Sequence, residues 1–149
     1  MSKIIKLTYE AADARGRYAK IHESIFKLSI RGMIAVLNRR KWIDYEIHHT
    51  ELSNVSQSLD DIEIELSHID DTEMSRIRGG VLIRLALLEY VQALGQSVRM
   101  LKGICERYIN DRGEQREQNE LATAKASYDA AVQYHRRLGD RLNQLLSTF

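Results

Sequence analysis

Leu7, Ala11, Ala14, Tyr18, Ile21, Ile25, Leu28 and Ala35 fall at alternating four- and three-residue intervals, with Gly32 filling one place in the series. Apolar positions at that mean spacing of 3.5 form a continuous stripe on a helix and form a seam against a neighbour. The pattern predicts a helix over residues 5–37. A second apolar set, Phe26, Ile30, Met33, Ile34 and Leu37, widens the stripe toward its C-terminal end. There the helix is expected to touch two neighbours.

"NRRKW", Asn38 to Trp42, interrupts the pattern with an Asn stop and three cations, as suits a helix C-terminus. Periodicity then resumes with Ile43 and Ile47 and settles into Leu52, Val55, Leu59, Ile62, Leu66 and Ile69, which predicts a second helix over 42–69. Asp70 with Glu73 three residues on resembles a capping box, and places a connection near Ile69 to Thr72. A third helix is expected over 72–111, carrying "VLIRLALLEYVQALG"; Gly79 and Gly80 before it offer an alternative, a delayed start or a hinge. A helix apolar nearly all round belongs at a core or a subunit interface. After the polar stretch around Gly113, a fourth helix over 115–148 is predicted from Leu121, Ala124, Tyr128, Ala131, His135, Leu138, Leu142, Leu145 and Phe149.

Four helices of this length with short connections fold most simply as one all-α domain over 1–149, an antiparallel bundle with coiled-coil-like packing, completed or not by dimerisation. "AADARGRY" (Ala11 to Tyr18) and "LATAKASY" (Leu121 to Tyr128) echo one another, with A-x-A, a cation, a small residue and Tyr at matching places. Alternation of small and large seam residues accounts for the echo without a repeat.

Composition sharpens the helical reading. The 149 residues include no proline, which favours uninterrupted helices, and a single cysteine, Cys105, which rules out an intrachain disulfide framework and points to a reducing, cytoplasmic setting. The N-terminal residues lack the apolar run of a secretory signal. The longest run without Asp, Glu, Lys or Arg is Tyr90 to Val98, short of the roughly 18 residues that suggest a spanning helix. A soluble chain with no membrane partner is expected.

Net charge is +1 but unevenly spread: residues 1–41 carry +7, residues 42–75 carry −10 without a single Lys or Arg, and the remainder carries +4. Packing the first helix beside the second lets these charges attract and help set register. The acids Asp60, Asp61, Glu63 and Glu65 stand mostly off the seam, and present a face to a partner that would be basic.

Candidate chemistry is sparse. Glu46/His49 and Glu65/His68 repeat E-x-x-H, the ligand pattern of bundle di-metal sites, but they lie 19 residues apart on one helix, about 28 Å, and cannot share a site within the chain. His135 takes a seam position, where it is either a histidine hydrogen-bonded to a neighbouring helix, with Tyr18 one candidate, or a metal or haem ligand. Glu46, His49 and His135 are the residues a metal or haem protein would use. Arg39, Arg40 and Lys41 beside Trp42 offer a phosphate-binding cluster with a stacking ring, so contact with nucleic acid is a further alternative. Arg84, set in an apolar run, requires a carboxylate from the acidic second helix or must snorkel to the surface. There is no G-x-S-x-G, phosphate-cradling loop or nucleotide fingerprint. The reading favoured is a non-enzymatic protein without a cofactor, a homo-oligomer, most simply a dimer, acting by protein–protein contact as an adaptor, chaperone-like or regulatory subunit.

Overall fold

A computed structural model describes residues 2–26, 44–111 and 118–149. Every element among them is an α-helix: α1 Lys3–Phe26, α2 Tyr45–Ser67, α3 Asp71–Ser75, α4 Gly80–Asp111 and α5 Gln118–Thr148. Residues 27–43, with the second apolar set beyond Phe26 and the whole of "NRRKW", lie outside the described residues, as do 112–117.

Two of the helices, α2 and α3, start on acidic caps. Asp44 Oδ1 accepts from the N–H groups of Glu46 and Ile47 at 3.1 Å, which begins α2. Asp70 Oδ1 accepts from Thr72 N–H at 3.0 Å and begins α3, where the capping pattern places a start. Each such cap satisfies donors that the first turn leaves unpaired.

The third predicted helix requires correction. Residues 72–111 are not one helix: α3 ends at Ser75, and α4 begins at Gly80. The break lies at Gly79, whose φ of +68° is the left-handed conformation that side chains disfavour. Gly80 is needed for space, since a Cβ there would lie 2.3 Å from the Met74 carbonyl oxygen. The two glycines thus let the chain fold α3 back over the start of α4, with Met74 fully buried.

The five helices pack around one core. Helix α4 is central, packed closely on both α2 and α5, while α1 packs on α2 and more lightly on α4. The part of the first predicted seam that is described, Leu7 through Ile25, and the second seam, Leu52 through Ile69, are buried throughout, while Leu28, Gly32 and Ala35 of the first lie outside the described residues. Neighbours run antiparallel: His49 meets Glu106 and Glu63 meets Gln92 between α2 and α4, while Gly139 meets Tyr90 and Glu120 meets Arg107 between α5 and α4. Truncating a fully buried core residue such as Leu94 to Ala should cost about 2–5 kcal/mol.

Helix α5 departs from the picture of a fully buried heptad. Tyr128, His135 and Leu142 are buried, but Ala124, Ala131, Leu138 and Leu145 are only partly covered and Phe149 is exposed. The reason is geometric. Helix α5 packs tightly on α4 alone, and reaches α1 through long side chains with an open groove beside them.

Candidate functional site

Those long side chains form a polar cluster between the first and last helices. The hydroxyls of Tyr18 on α1 and Tyr128 on α5 hydrogen-bond to each other, and His22 Nδ1 lies 2.6 Å from the Tyr128 hydroxyl. One turn C-terminal to His22, Phe26 stacks on the Tyr128 ring with centroids 5.6 Å apart, and Lys125 lies over Phe26. Burial pushes the Tyr18 hydroxyl up to about 12 and raises Tyr128 further still, so both stay protonated. His22 is held below the ordinary imidazole value, first by burial and then by the nearby Arg136 charge.

His135 sits seven residues along α5 from Tyr128 and is 4% exposed. It hydrogen-bonds to a neighbouring helix: Nδ1 lies 2.7 Å from Ser97 Oγ on α4. Tyr18 meets it ring edge to ring, centroids 5.7 Å apart, rather than through its hydroxyl. Burial, then Arg136 and Arg15, lower its pKa to about 4, so the ring is neutral near pH 7. Ser97 has no exposed surface and also donates to the Ala93 carbonyl at 3.4 Å. It orients the imidazole and is closed to an incoming substrate.

Beside this cluster a groove of about 280 Å³ runs between α1 and α5, with α4 as its floor. Thr8, Ala11 and Arg15 line one wall and His135, Arg136, Gly139 and Asn143 the other, over Leu87 and Tyr90. Small residues on both walls keep it open. Arg15 and Arg136 approach His135 from opposite helices, which is why both depress its pKa.

The metal-ligand candidates do not converge. His49 Nε2 pairs with Glu106 Oε1 at 2.9 Å, whereas His135 engages Ser97, nine residues or about 13 Å further back along α4. Glu46 is exposed at the start of α2, His68 is exposed, and Glu65 is half-buried without an ion pair to it. Among the described residues, no group of three or more His, Cys, Asp or Glu is placed to hold a metal ion.

Of the acidic face, Asp60 and Asp61 are exposed, Gln57 donates to Asp61, and Gln92 of α4 donates to Glu63. Arg39, Arg40, Lys41 and Trp42 lie outside the described residues. Arg84 is part-buried, and its partner corrects the expected source: Nη2 pairs at 2.6 Å with Asp71 of α3, not with a carboxylate of the long acidic helix, while Nη1 donates to the Ile69 carbonyl at 2.7 Å. The groove cations Arg15 and Arg136 escape a sequence reading because nothing in either local pattern signals their convergence.

The chain matches no protein-family model, and it has no significant match to a curated protein or to a solved structure.

Proposed function

We propose that this chain is a non-enzymatic interaction protein: an antiparallel bundle of four long helices with coiled-coil-like packing, acting by protein–protein contact as a homodimer in an adaptor, chaperone-like or regulatory role. The observation that carries this reading is the exposed start of α4. Val81, Leu82 and Leu85 are 50–51% exposed on the helix whose other faces form the core. Apolar side chains clustered within one turn of a central helix suit burial against a second copy.

By length and composition α4 is also apolar enough to cross a membrane, its best 18-residue window reaching a mean hydropathy of 1.2. We read it as a core helix, because 56% of that window is buried against the other helices. A cytoplasmic setting suits the single reduced thiol. The exposed acids Asp60 and Asp61 offer a second face, to a basic partner.

Light scattering after size exclusion tests the reading. The expected mass is twice 17.2 kDa, falling to a single chain in the V81S/L82S/L85S variant with helicity retained. A native chain that stays monomeric at about 100 μM, weaker than most specific homodimers, would overturn it, as would a variant whose mass is unchanged.

A further inference from the structure

The groove between α1 and α5 combines features the dimer reading does not use. It is walled by three helices, so its shape is set by packed elements and not by a loop. Its floor is apolar, from Leu87, Leu142 and the ring of Tyr90. Two guanidiniums stand in its walls, and neither Arg15 nor Arg136 has a carboxylate within ion-pairing distance among the described residues. Asp140 lines the same wall as Arg136 without pairing to it, which leaves two cations against one anion around a neutral imidazole.

Guanidinium groups are suited to carboxylates, because their fixed donors match the two oxygens and the charge strengthens each hydrogen bond. A volume of about 280 Å³ lies just below the roughly 300 Å³ from which small-molecule sites run upward, so the groove suits only a small ligand. We propose that this groove binds a small organic acid, its carboxylate held between Arg15 and Arg136 and its apolar body laid on Leu87, Leu142 and the Tyr90 ring. His135 borders the carboxylate end as a buried neutral group, so a bound anion offsets the guanidinium field upon it. The bound acid therefore makes the imidazole easier to protonate.

The test is a titration of the full chain with 4-phenylbutyrate, and in parallel with the neutral 4-phenylbutanamide, followed by NMR of the His135 imidazole. The acid should bind saturably with a Kd of about 1 mM or tighter, in line with ligands of about twelve non-hydrogen atoms. The amide should bind at least about tenfold more weakly, the scale of one charge-assisted contact. Arg15→Gln and Arg136→Gln, both exposed positions, should each weaken the acid several-fold, and A12W, which fills the groove from an exposed wall position, should abolish binding. The His135 titration midpoint should rise when the acid is bound. Equal affinity for acid and amide, undiminished binding in the arginine variants or in A12W, or no saturable shift at all would each overturn the proposal. Self-association in the same samples reads out the dimer independently.

Discussion

Tyr18 and Tyr128, 110 residues apart in sequence, join the first and last helices through a hydrogen bond between their hydroxyls inside the protein. Tyr128 has no exposed surface and also serves His22, so its hydroxyl is shared by two partners, whereas Tyr18 has that one hydrogen bond. Tyr128→Phe should therefore cost more than Tyr18→Phe, because it leaves the buried Tyr18 hydroxyl and the half-buried His22 without this partner, whereas Tyr18→Phe leaves the Tyr128 hydroxyl its contact with His22. About 1–3 kcal/mol is expected for Tyr128→Phe and about 1 kcal/mol for Tyr18→Phe. In urea unfolding the double variant should lose less than the sum of the two, with a coupling of at least about 0.5 kcal/mol. Strict additivity would mean that the hydroxyls do not interact.

His135 makes stability depend on pH. Its folded value, about 4, lies below the ordinary 6.5, so the unfolded chain binds the proton more readily. Stability is full above about pH 6.5 and is lost as pH falls toward 4, by an amount on the order of 3 kcal/mol. His22 shifts in the same direction and adds to the loss. Between pH 7 and 5, before most carboxylates titrate, the unfolding free energy should fall with a slope that His135→Gln reduces. A native curve that is flat over that window, or a slope the variant leaves intact, would remove His135 from the account.

Much of this arrangement is legible in the residues, and the exceptions have physical causes. The spacings from Leu7 to Ile25 and from Leu52 to Ile69 identify buried faces because each helix is covered along that stretch. The equally regular spacing from Leu121 to Phe149 identifies a face but not its coverage, which depends on how closely α1 approaches. The echo that ends in Tyr18 and Tyr128 marks two residues that meet, although close packing alone would explain its alternation. The contact of Ser97 with His135 and the convergence of Arg15 with Arg136 depend on register between helices, on which local periodicity is silent.

Arg84 should matter more than the carboxylate it pairs with. Asp71 is 78% exposed in its side chain, so Asp71→Asn should cost no more than about 1 kcal/mol. Arg84→Met also strips the Ile69 carbonyl of its side-chain donor at the turn joining α2 to α3, and should cost about 1–3 kcal/mol. Thermal unfolding of the two variants should show Arg84→Met with the larger loss. The reverse order would place the stabilisation in the exposed ion pair.

The glycines before α4 should differ in their tolerance of a methyl group. A Cβ at Gly79 meets the ring of Phe149, which is exposed and free to move, so the main cost of Gly79→Ala is the left-handed backbone, about 1–2 kcal/mol. At Gly80 the obstacle is the Met74 backbone carbonyl, which cannot yield without disturbing the turn that seats Met74 in the core. Gly80→Ala should thus be the more damaging. Phe149→Ala should leave the Gly79→Ala deficit nearly unchanged, and a rescue by Phe149→Ala would mean that the ring, not the backbone, sets the cost.

Cys105 offers a reporter at the opposite end of the helices. It has no exposed surface, and burial, with the Glu106 charge second, pushes its thiol from 9.0 up to about 11. At pH 8 the thiolate fraction is therefore about a hundredfold below that of a free thiol, and the thiolate is the species that reacts. Suppressed ionisation alone predicts native labelling by a disulfide reagent about a hundredfold slower than in urea. Steric closure must add to this, so any further protection measures the free energy of opening at this end of α4. Tyr45 and Tyr108 stack with centroids 4.4 Å apart and lie within electrostatic reach of the thiol. Removing one ring with Tyr45→Ala should speed labelling by at least about tenfold, the effect of losing roughly 1.4 kcal/mol of local closure. If Tyr45→Ala labels at the native rate, the stacked tyrosines do not guard the thiol, and opening at Cys105 must be governed by the packing of α4 itself.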